Sequence, residues 1–407
     1  MKSPSDKRRQ TLAPVCALLV LAAGGIPLAP PTSLFWTAPS ILAAAMLIAW
    51  AAESAQFFMA QGVALAILAW LQTLPEFAVE AVLAWKQQVP LLMANLTGAL
   101  RLLTGLGWPM VYATAAWFHR RNTGRPLGAI ALAEEHSVEV IGLFAAMLYS
   151  PVIFFKDSLN LADAAILIAI YCGYLVLLSR MPPLDSETVE DLDRVPRAIV
   201  KASRGVRISA ITLLFVGGGL LIYFTAEPFL ASLLAVSAAI GVPNFVFVQW
   251  VAPFVSEFPE KVSAFYWART VDRASTALMN MVSSNINQWT LLAAMLPIVF
   301  SISRGTPSAI PLDSQQELEL LMTLGQSLLA GLFLLDMRLT WFEASGLFVL
   351  WLVQFVLSPL AGGEVHRWIT ALYFGWSAVE LVRAIAARRM PLVVRQFGQI
   401  WRRHLAG

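Results

Sequence analysis

The chain has 407 residues, 58% of them hydrophobic and 13% charged, with a mean hydropathy of +0.70 and a net charge of +3. Soluble domains carry about 25% charged residues, so half the usual solvating charge is missing and a single water-facing shell cannot be built. Soluble enzymes, nucleic-acid binders and secreted disulfide scaffolds are disfavoured as classes, and the composition points to an all-α polytopic membrane protein whose main partner is the lipid bilayer.

Apolar stretches of about 20 residues, bounded by charge, Pro or Gly, predict up to twelve helices. The first, 11–29, follows Lys2, Lys7, Arg8 and Arg9 and suits a signal-peptide core or a retained anchor. No small-residue cleavage site stands out, so it is read as an anchor. Then come 36–54, 57–85, 89–117, 136–155 and 160–179. A long, charged, Pro-bearing linker over 180–207 divides the chain in two. Beyond it the pattern predicts 207–226, 229–268 with a break near Gly241–Pro243, 275–302, 316–335, 339–358 and 365–388. Cys16 and Cys172 both fall in apolar segments and read as small core residues without a disulfide. The run Gly217, Gly218 and Gly219 reads as close helix packing. Glu134, Glu135, His136 and Glu139 open a span beside a basic loop and read as a solvated helix N-terminus rather than a metal cluster.

Positive charge sets the topology. With the N-terminus cytoplasmic, every second connection is basic. The segments 1–10, 118–126, 180–207, 261–273, Arg338 and the tail then hold 23 of the 28 Lys and Arg residues. The opposite side keeps Lys86, Lys156, Arg304 and Arg367. Both termini are expected in the cytoplasm, with the protein in an inner or plasma membrane.

The two halves repeat a motif. Helix 57–85 carries Gln72, Thr73, Pro75 and Glu76, and the next helix carries Asn95. Helix 229–268 carries Ser256, Glu257, Pro259 and Glu260, and the next carries Asn280, Ser284 and Gln288. The two Pro-Glu pairs stand 184 residues apart and the two Asn residues 185. Five spans separate the copies, so they have opposite orientations: an inverted repeat, common in secondary transporters with midplane ligand sites. A carboxylate at mid-bilayer costs at least ~2.5 kcal/mol, so Glu76 and Glu260 need a partner, a proton or a bound cation. Each preceding proline removes a backbone donor and frees a carbonyl one turn earlier, an oxygen of the kind hard cations take as ligand. Gln72 and Thr73 share the face of Glu76, as Ser256 and Glu257 share that of Glu260, while Asn280, Ser284 and Gln288 form one polar stripe. A dehydrated cation could collect oxygens from four helices.

These repeats resemble the α-repeats of the cation/calcium antiporter superfamily, which includes the sodium/calcium exchangers. Members carry G-T-S-x-P-E on one helix and G-S-N-x-x-N or G-S-N-x-x-D on the next, in both halves. The resemblance covers roughly 36–358 and implies ten core helices in two inverted sets of five, with an extra helix at each end. The implied divisions are 1–35, 36–179, 180–207 (the family's cytoplasmic loop), 208–358 and 359–407. The resemblance also implies a secondary active antiporter that moves calcium or a similar inorganic cation against sodium or protons, without a cofactor. Its ion-coordinating positions fall on Gln72, Thr73, Glu76, Ser256, Glu257, Glu260, Ser284 and Gln288, with Glu76 and Glu260 as the central metal ligands. Ala99 and Leu103 stand where the first repeat's ligating Ser and Asn or Asp are found in the family, so that half has lost two oxygen donors. Glu257 replaces a Ser and adds a third acid. Three acids so close cannot all stay ionised without cations, which makes protons an expected competitor of the transported ion.

The depleted first repeat also motivates an alternative, a relative that no longer exchanges ions and acts as a membrane sensor or scaffold. An intramembrane enzyme is not expected: no nucleophile–base pair or metal set appears, and His119, His136, His366 and His404 are scattered. Arg101 lies inside a span, about 240° around the helix from Asn95, and so faces away from the Asn stripe. It reads as the partner of an acid on a neighbouring helix, or as a fixed charge that partly replaces a bound cation.

Overall fold

A backbone inside a bilayer must satisfy its own N–H and C=O groups, so long apolar stretches fold as helices. The computed structural model of the protein describes residues 30–55, 58, 73–181, 192, 194–386 and 390–405. The anchor expected at 11–29, Cys16, Gln72, most of the first half of 57–85 and much of the 180–207 linker lie outside the described residues.

In chain order the helices are α1 (Leu34–Ala55), α2 (Leu74–Trp85), α3 (Val89–Leu102), α4 (Trp108–Thr123), α5 (Ser137–Met147), α6 (Ser150–Lys156), α7 (Leu161–Ser179) and the short α8 (Arg194–Val200). The second half holds α9 (Arg204–Ala239), α10 (Asn244–Ser256), α11 (Phe258–Ala268), α12 (Val271–Asn287), α13 (Ala293–Arg304), α14 (Ser314–Phe333), α15 (Trp341–Ala386) and α16 (Leu392–Ile400). Single π turns, Leu103–Gly107 and Gln288–Leu292, splice α3 to α4 and α12 to α13 into rods of 35 and 34 residues. Among the described residues, nine helical stretches are long and apolar enough to cross a membrane.

One boundary expected in the second half is absent. The expected gap after 226 is absent, and α9 runs unbroken through Pro228 to Ala239. Inside a membrane an interrupted helix has no water to satisfy its ends, so a lone proline is carried within the helix. The break expected near Gly241–Pro243 is present, at Gly241, whose φ of 70° is open to a residue without Cβ, and at Pro243. The helical backbone of α15 spans Trp341–Ala386, yet the rings of Phe342 and Trp376 lie 5.6 Å apart. A straight helix would separate them by about 50 Å, so the chain reverses between the spans Trp341–Ser358 and Gly363–Ala386.

The halves repeat in detail. Four short strands, β1 (Ala129–Ala131), β2 (Ser158–Leu159), β3 (Ile310–Pro311) and β4 (Arg338–Thr340), form two antiparallel ribbons, β1 with β4 and β2 with β3. Each ribbon joins a loop of one half to a loop of the other, at opposite ends of the spans between them. Each is prolonged by one matching hydrogen bond, Leu132 N to Met337 O and Leu312 N to Asp157 O, both 2.9 Å. The rods α3–α4 and α12–α13 both end on a left-handed glycine, Gly124 and Gly305. Helices α7 and α14 both start on a capping box, Asn160 with Asp163 and Asp313 with Gln316.

Packing of α3 on α10 depends on Gly98, where a Cβ would overlap the Gln249 carbonyl oxygen. Any larger residue there must push the two helices apart. In the run at 217–219 only Gly218 makes such an approach, against Ile48 and the Ala44 carbonyl, while Gly217 and Gly219 face open space. The acids at 134–139 are also partly corrected. Helix α16 packs over this stretch, so His136 and Glu139 are buried and pair at 3.3 Å, rather than standing in solvent. Glu134 instead meets Arg403 from the tail, at 3.3 Å.

Candidate cation site

Prolines decide where the site's helices begin. Pro lacks an N–H and is tolerated in the first turn, where that donor would have no partner anyway. Helix α2 therefore starts at Leu74 with Pro75 second and Glu76 third, after Thr73 as its cap. Helix α11 starts at Phe258 with Pro259 second and Glu260 third, after Glu257 as its cap. Each motif thus sets a glutamate in the first turn of a helix, where the dipole favours negative charge. Glu257 is the junction itself, closing α10 and opening α11, so it does not share a continuous helical face with Glu260 as the sequence reading expects.

Both central acids are buried, Glu76 at 1% and Glu260 at 2% exposure, and their partners come from α12 and the π turn after it. Gln288 donates its Nε2 to Glu76 Oε2 and to Glu257 Oε1, each at 2.9 Å, and so ties the two halves together. Ser284 donates to Glu260 Oε1. Asn287, absent from the sequence reading, donates to Thr73 Oγ1 at 2.6 Å. The π turn opens at Gln288 and Leu103, matching positions of the two rods, so the depleted first repeat differs in side chain and not in backbone course.

Glu80, one turn beyond Glu76 and fully buried, accepts from Asn95 Nδ2 at 3.1 Å. Asn95 therefore reaches the site through a glutamate that the repeated motif does not include. Lys261, which charge counting places among loop cations, is 5% exposed and forms an ion pair with Glu257. Ser256 is buried but bonds back to the Ala252 carbonyl at 3.0 Å, and none of the described hydrogen bonds joins Asn280 to the acids.

Apart from Asn280 Nδ2, which is buried without a partner among the described residues, the donors in this cluster are used and several acceptors are not. Glu76 Oε1, Glu80 Oε2, Asn95 Oδ1, Asn287 Oδ1 and Gln288 Oε1 are buried with no hydrogen-bond partner among the described residues. Each such group costs about 1–3 kcal/mol if left unsatisfied. A set made only of oxygens, carboxylate and amide carbonyl, suits a hard cation, which takes six to eight of them.

Arg101 answers the sequence question: its partner is Glu319 of α14, at 2.5 Å, both side chains essentially unexposed. Glu319 is also met by His366 Nδ1 at 2.6 Å and by Gln249 Nε2 at 2.7 Å. The guanidinium carbon lies 5.5 Å from the Trp250 ring centre. This second polar cluster joins α3, α10, α14 and α15, and none of its described hydrogen bonds reaches the acids at 76, 80, 257 and 260.

A polytopic helical protein with inverted halves, broken helices and a buried carboxylate site between them is a secondary transporter. The sodium/calcium exchanger protein family model matches residues 31–180 and 210–359, and the chain belongs to that family and so to the cation/calcium antiporter superfamily. It is similar to the H+/Ca2+ exchanger CAX, with 32% identity over 97% of this chain and 98% of that one and a TM-score of 0.87. Native YfkE matches over 86% of this chain and 99% of its own, at 15% identity and a TM-score of 0.63. The sodium-calcium exchanger NCX_Mj matches over 83% and 98%, at 15% identity and 0.53, and both of these show a shared fold. No curated protein matches the chain.

Proposed function

We propose that this antiporter carries calcium, or a divalent cation like it, in exchange for protons by alternating access. The observation that carries the reading is the set of unpartnered buried oxygens on Glu76, Glu80, Asn95, Asn287 and Gln288, with Glu260 also buried. Similarity to an H+/Ca2+ exchanger at 32% identity supports protons as the counter-ion. In this reading Glu76 and Glu260 are the central ligands. Thr73, Asn95, Ser284 and Gln288 orient or complete the set. Gln72, Ser256 and Asn280 stand on the same segments as supporting positions, and Glu257 serves through its bridge to Gln288. The repeats are 36–179 and 208–358, joined by the linker 180–207, with an additional helix on either side.

Calcium-45 uptake into proteoliposomes is expected to follow an imposed pH gradient between about 6 and 8 and to be indifferent to a sodium gradient at equal pH. Flux that follows sodium alone would make the counter-ion sodium. On the charge bias, both termini and 180–207 face the cytoplasm of an inner or plasma membrane, with Lys86 and Lys156 opposite. Cysteines introduced into 180–207 should react with an impermeant reagent only from the cytoplasmic side, and labelling from outside would reverse the topology.

A further inference from the structure

Resting on that exchange reading, we propose that Lys261 is a cation-selectivity residue, whose ammonium is a tethered monovalent ion filling the Glu257 end of the site. Both oxygens of Glu257 are engaged, Oε2 by Lys261 Nζ and Oε1 by Gln288 Nε2. Lys261 lies one turn after Glu257 and inside the protein, so its effective concentration at that carboxylate is set by the chain and not by the solution. An ammonium is a compact, single positive charge, as sodium is. A free sodium ion could take Glu257 as ligand only by displacing it, which would strand the ammonium in a low-dielectric interior.

The pair belongs to one half only. At the 184-residue offset of the two Pro-Glu motifs, Glu257 corresponds to Thr73 and Lys261 to Phe77, neither of them charged. The second half has therefore gained an acid and its own cation together, a neutral addition. Among the described residues Glu76, Glu80 and Glu260 form no ion pair of their own, and Glu76 and Glu80 each keep an oxygen without a partner. The charge at Glu257 is thus balanced by a cation tethered to the chain, which removes a sodium seat.

The test uses the full-length protein in proteoliposomes, with calcium-45 uptake driven either by a pH gradient or by a sodium gradient at equal pH. Wild type and Lys261→Arg should ignore sodium. Lys261→Gln and Lys261→Met should gain sodium-driven uptake, and the double variant Glu257→Gln/Lys261→Gln should lose that gain because the seat is gone. Charge-removing variants that transport under a pH gradient yet stay blind to sodium would overturn the proposal. So would sodium-driven uptake by wild type. A second measurement covers variants that do not fold or transport: thermal unfolding in sodium against choline at equal ionic strength. Wild-type protein should show no sodium stabilisation, and stabilisation of the wild type would overturn the role given to Lys261. A wild type without calcium flux under any gradient would sink the exchange reading alone, since sodium stabilisation gained by Lys261→Gln still reads the seat directly.

Discussion

Glu76→Gln or Glu260→Gln is expected to bring calcium uptake down to the level of empty liposomes while folded protein is still recovered. The amide has the shape of the carboxylate, and the new side chain at position 76 can still accept from Gln288 through its own oxygen, so α2 and the junction between the halves have no steric reason to move. The charge is what is lost. A deficit of about 3 kcal/mol in cation affinity already weakens binding more than a hundredfold, and each acid stands in a site where desolvation leaves little else to attract a divalent ion. Uptake by either variant at the wild-type rate would remove that residue from the site. The comparison with Glu80→Gln is informative, because Glu80 has no acidic counterpart in the second half: Ala264 stands at the equivalent position.

The largest expected effect on stability lies outside the site. Glu319→Ala leaves the Arg101 guanidinium buried without its counter-charge, and breaking a buried pair of this kind costs about 3–5 kcal/mol. Gln249 and His366 lose their acceptor at the same time, so α3, α10 and α15 lose their common partner on α14. In detergent the apparent melting temperature should fall by roughly 5 °C. Arg101→Met combined with Glu319→Leu removes both charges and should recover the part of that loss due to the stranded guanidinium, while Gln249 and His366 stay without their acceptor. If the single and double variants melt alike, the ion pair is not what holds these segments together.

Much of this architecture is legible in residue order. Apolar length marks the spans because a bilayer allows few alternatives to a helix, and the repeated Pro-Glu positions mark a candidate site because charge inside a membrane needs a reason. What stays hidden depends on partners distant in the chain. Arg101 and Glu319 lie 218 residues apart, and nothing local to either says which acid will meet which base. Charge counting misplaces Lys261 because it treats any Lys near a span end as a loop residue, while here the break at Glu257 turns it inward. His136 and Glu139 look solvated until α16 is laid over them. Glu80 is open to a reading from residue order alone, since an acid one turn from Glu76 in an apolar helix is itself a signal.

The unequal decoration of the two halves has a consequence for the resting carrier. In an inverted-repeat transporter the inward-open and outward-open forms arise by exchanging the conformations of the halves. Identical halves would make those forms equal in energy, and the empty protein would spend half its time facing each way. Here one half holds Glu80 and the other holds Glu257 with Lys261, so the exchange does not map the protein onto itself. The two forms therefore differ in free energy, and a difference of only a few kcal/mol leaves the minor form at about 0.1–10%. The apparent affinity for the cation then differs between the two membrane faces by that same population ratio, although the ligands are identical. The direction of net transport still belongs to the gradients, but the side on which the empty carrier waits is written into the unmatched residues.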